Sequence, residues 1–332
     1  MNRFKNILLV CDNQSLHDEA IGRAMSLAMA NGARITLVDV VDAAPGELAR
    51  MFGAFSGMRS HDVEHEVVEF HRTRLLELGT TFRAKGIATA ELVLQGVPFL
   101  EIIKAVLRDG HDLVIKGVGG TAEARSLFFA STDLHLLRKC PCPVWMMKSN
   151  PRRQYARVLA AVDPDPEDPV RDALNKLIMD LATSVSDQDQ SELHVCNAWS
   201  LHGEEMLRHG AFAKIPSEKV DKLSRGERKK AKGLLIDLLL QYPDVDRQRQ
   251  VHLVKGPARQ VIPAFARRKR VELVVMGTVG RVGIRGLFIG NTAEAILNQV
   301  ECSVLAVKPP GFETPVRLES ATGAEDSSAR QT

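Results

Sequence analysis

The sequence predicts two tandem α/β domains, each a doubly wound domain with a five-stranded parallel sheet and helices on both faces. Two observations predict this fold class. Short runs rich in Val, Ile and Leu alternate with longer segments of helical period, which is typical of parallel sheets that helices cover on both faces. The chain also repeats itself, because residues 112–117 resemble residues 272–277 and many later positions match at the same offset of 160 residues. The chain is therefore a duplication of one domain.

The elements follow the same order in each half. The apolar runs of the first half predict strands at residues 6–11, 34–41, 90–94, 113–116 and 143–147. The intervening segments carry apolar residues at helical spacing and predict helices at residues 18–30, 61–85, 99–109 and 131–139. The second half is expected to contain the equivalent elements. Because the strands of such a sheet run parallel, we expect a ligand at their carboxyl ends.

The repeat also sets the domain boundaries. The first domain is predicted over residues 1–148 and the second over residues 155–308, with a short linker at residues 149–154. A linker of this length cannot let the two domains move far apart. The tail at residues 309–332 is rich in Ser, Thr, Ala, Glu and Gly, so it is predicted to be disordered.

Composition excludes several classes of protein. Of the 332 residues, 45% are apolar and 26% are charged, and the net charge of +3 gives no signal for binding a polyanion. The basic runs at residues 225–232 and 267–270 are interpreted as solvated helix faces, so nucleic acid is not expected as a partner. The five cysteines lie mostly in apolar runs, as free thiols of a reducing compartment do. Since no apolar run suits a membrane span or a signal peptide, we expect a cytoplasmic protein that does not bind a membrane.

A glycine pattern in the second half suits a phosphate group. A predicted strand ends at Gly277, Gly280 follows in the next turn, and a predicted helix begins after Gly290 with Asn291 and Thr292. Glycines let backbone N–H groups converge, and a helix N-terminus adds further N–H groups and the positive end of its dipole. The spacing G-x2-G-x9-G matches neither the P-loop nor the dinucleotide fingerprint. Because glycine pairs also serve tight turns alone, a phosphate cradle and a plain turn both stay open.

The second half also contains a fixed order of features. They are a strand ending in Asp163, a strand at residues 193–198, Gly256 and Pro257 before a helix, the run at residues 272–277, and the glycine pattern that ends in Thr292. In this order they closely resemble the universal stress protein family. The resemblance covers both halves, nearly all of residues 4–308. The chain is therefore similar to the tandem, E-type members of the family in bacteria. The resemblance implies a five-stranded α/β fold, pairing between the domains and, as in many members, ATP binding.

The resemblance gives the second-half residues their expected roles. It places Asp163 near the adenine or ribose, although an aspartate at a strand end is also a common turn or cap former. Asn291 stands where ATP-binding members have Ser or Thr, and Thr292 offers a hydroxyl one position later. The candidate nucleotide-binding residues of the second half are Asp163, Gly277, Gly280, Gly290, Asn291 and Thr292.

The first half departs further from the pattern of the family. Ala130 replaces the third glycine, and its methyl group intrudes where a phosphate would approach or restricts the backbone there. This half is therefore expected to hold a weaker site, or one adapted to something else. The residues of this weaker candidate site are Asp12, Gly117, Gly120, Ser131 and Thr132.

No catalytic set and no metal site are predicted. His61 and His65 fall in an H-x-x-E-H pattern, but the second repeat has no histidine there, so a solvent-edged helix is the favoured interpretation. Cys140, Cys142 and Cys302 are too few to hold a structural zinc. The histidines do not recur at matching positions of the repeat, so no nucleophile–base set can be assembled.

Two apolar segments and the last strand of each half are predicted to form contacts between the domains. Residues 49–58 and 206–215 are predicted to be mobile apolar segments rich in Met, Phe and Gly, suited to a hydrophobic ligand or partner, with packing between the domains favoured. The last strand of each half would otherwise expose unpaired backbone groups. Residues 143–147 are therefore expected to pair with residues 303–307, as the resemblance also implies.

Together these observations predict a cytoplasmic, non-enzymatic stress-response protein with a small-molecule ligand. ATP or AMP is expected in the second half, with a degenerate site in the first half and no metal. Two alternatives stay open. One is an interaction scaffold, or a binder of a hydrophobic or lipid ligand, with vestigial nucleotide sites. The other is a slow ATPase, although no residue of the pattern is placed as a base beside the phosphates.

Overall fold

The computed structural model describes residues 3–12, 18–41, 60–118, 129, 131–149, 154–209, 215–246, 250–278 and 290–318. The strands of the first half are β1 (Asn6–Val10), β2 (Arg34–Val41), β3 (Thr89–Gln95), β4 (Leu113–Val118) and β5 (Val144–Lys148). Its helices are α1 (Asp18–Asn31), α2 (Ser60–Arg83), α3 (Pro98–Asp109) and α4 (Ser131–Lys139). Apolar strands and helices alternate here, as the sequence pattern predicts.

The second half repeats this order, and its described residues include a short helix between the second strand and the following long helix. Its strands are β6 (Arg157–Ala161), β7 (Glu192–Trp199), β8 (Val251–Lys255), β9 (Leu273–Gly277) and β10 (Ser303–Val307). Its helices are α5 (Pro169–Asp189), α6 (Glu204–His209), α7 (Ser217–Leu239), α8 (Ala258–Lys269) and α9 (Asn291–Leu297). Residues 206–209 of the segment predicted to be mobile belong to α6, where Arg208 and Glu204 form an ion pair of 2.9 Å one turn apart.

The described strands form one sheet across both halves, in the order β3-β2-β1-β4-β5-β10-β9-β6-β7-β8. All pairs within a half are parallel, and β5 pairs with β10 antiparallel, with Trp145 opposite Leu305. The predicted fold class, two doubly wound α/β domains with mostly parallel sheets, is confirmed. The last strands of the two halves therefore cover each other's edge, which would otherwise present unpaired backbone groups.

Two apolar cores lie on the two faces of this sheet. Successive residues of β1 alternate between them, since Ile7 and Leu9 belong to one core and Leu8 and Val10 to the other. Helices α1, α2, α5 and α7 cover the first face and contribute Leu27, Phe82, Ile178 and Leu235. Helices α3, α4, α8 and α9 cover the second face and contribute Ile102, Leu136, Phe265 and Ile296. Each core runs through both halves.

Polar contacts across the junction join the halves further. Lys148 donates from Nζ to the carbonyl of Val300 at 3.0 Å, and Lys308 donates to the carbonyl of Leu137 at 2.6 Å. These two contacts relate to each other through the repeat, because Lys148 and Lys308 are 160 residues apart. The site helices α4 and α9 are linked as well, by an ion pair between Arg138 and Glu294.

The start of the C-terminal tail packs on the second core. Val316 is 9% exposed and belongs to that core, and Lys308 lies 5.0 Å from the ring centroid of Phe312. Residues 309–318 are therefore anchored by apolar burial, although their composition predicts disorder. The remaining predicted tail, residues 319–332, lies outside the described residues.

Candidate functional site

The strand order places the candidate sites. In each half the order reverses between the first and fourth strands, that is, between β1 and β4 and between β6 and β9. Doubly wound sheets bind ligands in the crevice that this reversal leaves at the carboxyl ends of the strands. Asp163 follows β6, and Gly277 is the last residue of β9. Both predicted residues therefore lie at the switch point of the second half.

Asp163 is held in position by α5. Its carboxylate Oδ2 accepts a hydrogen bond from Arg171 Nη2 at 2.7 Å, and its side chain is 50% exposed. Its backbone N–H donates to Asn175 Oδ1 at 2.7 Å, and its carbonyl accepts from Asn175 Nδ2 at 3.0 Å. Arg171 also pairs with Asp165. The half-exposed carboxylate is thus held in place by a helix that begins six residues later.

The start of α5 explains this arrangement. Asp168 caps the helix by accepting hydrogen bonds from the N–H groups of Val170 and Arg171, and Pro169 occupies the first helical position. The cap fixes the first turn, so Arg171 and Asn175, four residues apart, present one face to the loop after β6. Neither Arg171 nor Asn175 was predicted from the sequence, although a capped helix start shortly after a strand-end aspartate is a recognisable signal.

Gly277 lies close to a side chain of α5. A Cβ atom built on this residue would lie 2.7 Å from Leu174 Cδ2 of α5. This contact gives the glycine a structural reason of its own, apart from any phosphate. A substitution at position 277 would require the Leu174 side chain to shift, so it would not report on a ligand alone.

Gly290, Asn291 and Thr292 form the start of α9, close to the end of β9. The N–H of Gly290 donates to the carbonyl of Thr278 at 2.9 Å, which joins the helix start to the strand end. Gly290 offers no capping side chain, and the first-turn N–H groups of a helix have no acceptor within it. Asn291 and Thr292 are exposed. Three of the predicted phosphate ligands are therefore brought to the strand end with accessible polar groups.

A buried lysine lies beneath this strand end. Thr278 is fully buried and its hydroxyl accepts a hydrogen bond from Lys308 Nζ. Burial lowers the pKa of Lys308 to about 7. The ammonium form places a positive charge under the glycine-ended strand, where it favours an anion above it.

The first half brings charged side chains to its switch point. Lys116 on β4 is 6% exposed and lies 3.0 Å from Asp12 Oδ2 and 3.0 Å from Asp133 Oδ1. The Asp133 side chain, in the first turn of α4, is 2% exposed, and Lys116 also donates to the carbonyl of Gly117 at 3.2 Å. We call Asp12, Lys116 and Asp133 the charged triad. Ser131 is exposed at the start of α4.

Asp12 was predicted as a site residue of the first half, but Lys116 and Asp133 were missed, although the repeat contained the signal. At the offset of 160 residues Lys116 matches Met276, and Asp133 matches Ala293. A charged residue that replaces an apolar one within a buried strand indicates a site that has changed. Thr132 matches Thr292 and is half-buried. The predicted residues Gly120 and Gly280 lie outside the described residues.

The other motifs of the sequence stay separate from the switch points. Residues 61–65 lie in α2, where His65 is exposed. The five cysteines are free, and all except Cys302 are buried. The basic run 225–232 lies on α7, mostly exposed, and the run 267–270 lies at the end of α8. Segment 49–58 and residues 210–214 lie outside the described residues.

Two further observations concern metals and membranes. In the described part of the chain, no group of three His, Cys, Asp or Glu residues could hold a metal ion. Among the same residues, no helix is both long and apolar enough to cross a membrane.

A histidine pair lies on the neighbouring strands β7 and β8, beneath α8. His252 Nε2 is 3.3 Å from His194 Nδ1, and the ring of Phe265 packs on both. Burial lowers the pKa of His252 to about 4, with the neighbouring His194 as the next cause, and burial also lowers the pKa of His194. Both rings are therefore neutral near pH 7, and acid charges two imidazoles that lie side by side.

Replacing His252 with leucine is expected to make the protein less sensitive to acid. Because the folded-state pKa of His252 is depressed, the unfolded chain binds the proton more strongly between pH 6.5 and about 4, so the wild type loses stability as the pH falls through this window. With a discount for partial exposure, we expect the wild type to lose about 1 kcal/mol more than His252→Leu between pH 7 and pH 5. Urea unfolding at both pH values measures this difference.

The control is His202→Leu, which changes an exposed histidine of the same half. It should lose as much stability as the wild type on acidification. Equal losses for the wild type and His252→Leu would show that the buried pair does not set the acid response.

Comparison with known proteins gives a consistent result. A profile of the Universal stress protein family matches residues 3–148 and residues 154–308. The chain is 29% identical over 329 residues to Universal stress protein E of Escherichia coli K12, covering 96% of this chain and 98% of that protein. It is 26% identical to the Universal stress protein E homolog of Haemophilus influenzae, covering 92% of this chain and 98% of that protein.

Solved structures agree on the fold. The crystal structure of a functionally unknown protein from Pseudomonas aeruginosa PAO1 superposes with a TM-score of 0.71 at 24% identity, covering 93% of this chain and 94% of that chain. A universal stress protein from Archaeoglobus fulgidus superposes with a TM-score of 0.60 at 17% identity, covering 91% of this chain and 98% of that chain. At these identities the likeness establishes the architecture of two tandem domains.

Proposed function

The chain belongs to the universal stress protein family, and from this premise we propose that it is a stress-response protein that binds ATP or AMP in its second half without hydrolysing it. One observation carries the proposal. The switch point of the second half combines a glycine-ended strand, an uncapped helix start with exposed Asn291 and Thr292, and a half-exposed Asp163. Phosphates and a nucleoside need these two kinds of group at one edge of the sheet.

The phosphate side is supplied by α9. First-turn N–H groups and the hydroxyl of Thr292 donate hydrogen bonds to anionic oxygens, and the helix dipole favours negative charge there. Lys308, which is bonded to the hydroxyl of Thr278, adds a positive charge when it is protonated, and in its buried position the field of that charge is screened less than at the surface. Gly280 belongs to this side by the sequence pattern.

The nucleoside side is supplied by Asp163. Its carboxylate accepts hydrogen bonds, as a ribose hydroxyl or an adenine amino group requires. Arg171 holds the carboxylate in place, which lowers the cost of orienting it when a ligand binds.

The proposed absence of hydrolysis rests on the groups available. Hydrolysis of a phosphoanhydride needs an oriented water and a residue that positions it or takes its proton. Of the described residues at the phosphate side, Gly277, Thr278, Asn291 and Thr292 carry no titratable side chain. The titratable Lys308 is buried and bonded to Thr278 and to the carbonyl of Leu137. Asp163, which is paired with Arg171, lies on the side assigned to the nucleoside. Occupancy of the site would then be the signal.

We also propose that the protein acts in the cytoplasm with its halves paired through β5 and β10. Four buried free thiols fit a reducing compartment. The antiparallel pairing of β5 and β10, with Trp145 fully buried opposite Leu305, supports a permanent association of the halves.

The matched variants Thr292→Val and Thr132→Val test the nucleotide site. Removing the Thr292 hydroxyl removes a hydrogen bond to a charged group, so we expect ATP to bind roughly tenfold to a hundredfold more weakly. Thr132→Val makes the same change at the equivalent position of the first half and should leave the affinity within about twofold. Isothermal titration with ATP and with AMP measures both. Equal losses in the two variants, or no loss in Thr292→Val, would contradict the proposal.

Three further experiments test the site and separate the alternatives. Asp163→Asn should weaken binding of ATP, whereas Asp165→Asn, which removes the other partner of Arg171, should not.

Phosphate release from the ATP-loaded protein should stay below ~1 per minute, far below the ~10 per second of a typical enzyme. Faster release that Thr292→Val abolishes would favour the slow ATPase. Native mass spectrometry that finds a lipid or another hydrophobic molecule and no nucleotide would favour the alternative binder.

A further inference from the structure

The two switch points of the chain differ in charge. In the first half, the charged triad contributes one positive and two negative groups, all at the carboxyl ends of β1 and β4 or at the start of α4. The equivalents of Lys116 and Asp133 in the second half are Met276 and Ala293, which are 3% and 6% exposed. A buried ion pair in one half thus stands where the other half has two apolar side chains.

We propose that the first half carries its own anion, the Asp133 carboxylate, and that this internal anion excludes the phosphates of a nucleotide from the first half. The proposal rests on the proposed function of the second half and deepens it, because it states which residues confine the nucleotide to one site per chain. Asp133 and Lys116 are then the residues that determine specificity between the halves.

The position of Asp133 supports this role. It lies in the first turn of α4, a nine-residue helix, where backbone N–H groups and the helix dipole favour a negative charge. In the second half, the corresponding turn of α9 is the proposed phosphate position. The Asp133 side chain is 2% exposed, so its charge lies in a buried position beside Lys116 at the carboxyl end of β4.

Lys116 makes the internal anion stable. Its ammonium lies 3.0 Å from Asp133 and 3.0 Å from Asp12, and donates to the carbonyl of Gly117. The lysine is therefore committed to ligands within the chain. Lys116 also pairs with Asp12, the carboxylate that the family pattern would assign to the nucleoside, so one side chain links this position to the internal anion.

Electrostatics gives the direction of the effect. The charged triad has a net charge of −1, and an entering phosphate would add negative charge beside Asp133 in a region of low dielectric. The neighbouring Arg74 is engaged as well, since it pairs with the buried Asp39 at 2.7 Å and donates to the carbonyl of Cys11. Binding in the first half would require a buried ion pair to break, which is strongly unfavourable.

The test exchanges the residues between the halves. The double variant Lys116→Met/Asp133→Ala installs the second-half residues in the first half and leaves no unpaired charge in the core at positions 116 and 133. We expect it to bind one more equivalent of ATP than the wild type. The reciprocal double variant Met276→Lys/Ala293→Asp should bind ATP at least a hundredfold more weakly in the second half. Equilibrium dialysis with labelled ATP counts the sites, and thermal unfolding confirms that each variant is folded.

Ala130 lies outside the described residues and requires its own control, because the sequence pattern predicts that its methyl group is a second obstacle in the first half. The exchange is therefore made with and without Ala130→Gly, and Ala130→Gly is also made alone. A folded Lys116→Met/Asp133→Ala/Ala130→Gly variant that binds no more ATP than the wild type would overturn the proposal. So would an additional site created by Ala130→Gly alone.

The readout is the difference between variant and wild type, which separates this proposal from the proposed function. If the wild type binds no ATP, the proposed function of the second half fails. An additional equivalent in the exchange variant would still establish that the charged triad closes the first half.

Discussion

Replacing Asp189 with alanine is expected to lower the free energy of unfolding by about 3–5 kcal/mol, because the change leaves the guanidinium of Arg23 buried without its partner. Asp189 is the last residue of α5 in the second half, and Arg23 lies on α1 in the first half. Their two hydrogen bonds measure 2.8 and 2.6 Å, and the side chains are 2% and 3% exposed. Urea unfolding measures the loss.

The surroundings of this ion pair explain the size of the effect. Asp189 also accepts a hydrogen bond from the N–H of Tyr155 at 2.9 Å, which fixes the chain where it enters the second half. The guanidinium of Arg23 lies 5.3 Å from the ring centroid of Trp145 and 4.9 Å from that of Tyr155. Removing the carboxylate therefore disturbs α1, β5 and the start of the second half together.

Asp187→Ala is the matched control, since Asp187 is exposed two residues earlier on the same helix. It should change stability by no more than about 0.5 kcal/mol. In a double-mutant cycle, Arg23→Met and Asp189→Ala should be non-additive by more than 1 kcal/mol, because the two residues form one contact. An Asp189→Ala variant as stable as Asp187→Ala would show that this pair does not hold the halves together. Two separate unfolding transitions in the variant would locate the loss at the junction.

Much of the fold could be predicted because the repeat and the apolar periodicity are both visible in the sequence without knowledge of tertiary contacts. The predicted strand at residues 34–41 coincides with β2, and the predicted helix at residues 131–139 coincides with α4. The alternation of the β1 residues between two apolar cores also follows from the sequence, because an uninterrupted apolar run is typical of a strand that is buried on both faces. The antiparallel pairing of β5 with β10 has no local pattern in the sequence. Only the need to cover edge strands and the family resemblance predict it.

The candidate site could be predicted in position but only partly in chemistry. Gly277 and Asp163 were readable from the strand ends, yet the reason for Gly277 includes Leu174, which is distant in sequence. Arg23 and Asp189 are 166 residues apart, and no local pattern joins them. Lys116 and Asp133 were visible as departures within the repeat, but their contact requires the fold that brings β4 beside the start of α4.

Replacing Lys116 alone with methionine is expected to destabilise the protein by about 3–5 kcal/mol, because the Asp133 carboxylate is left buried without its ammonium. Asp12 is affected less, since its side chain is 32% exposed and can be hydrated. Adding Asp133→Ala to this variant removes the buried charge and installs the apolar pair of the second half. The double variant should therefore recover to within about 1 kcal/mol of the wild type, as apolar replacements of buried ion pairs commonly do. Urea unfolding of the two single variants, the double variant and the wild type completes the cycle.

Lys104→Met provides the control for removing a lysine from an ion pair. Lys104 pairs with Glu101 at 3.0 Å on α3, and both side chains are partly exposed, at 25% and 19%. Such a pair contributes at most about 1 kcal/mol, because water screens it and hydrates the partner that remains. If Lys116→Met costs no more than Lys104→Met, the carboxylate of Asp133 is not held by a buried charge, and it has no fixed position from which to exclude a phosphate. A large loss that Asp133→Ala reverses would show that Lys116 and Asp133 compensate each other in a buried position, so that an anion displacing Lys116 from Asp133 would leave a buried carboxylate uncompensated.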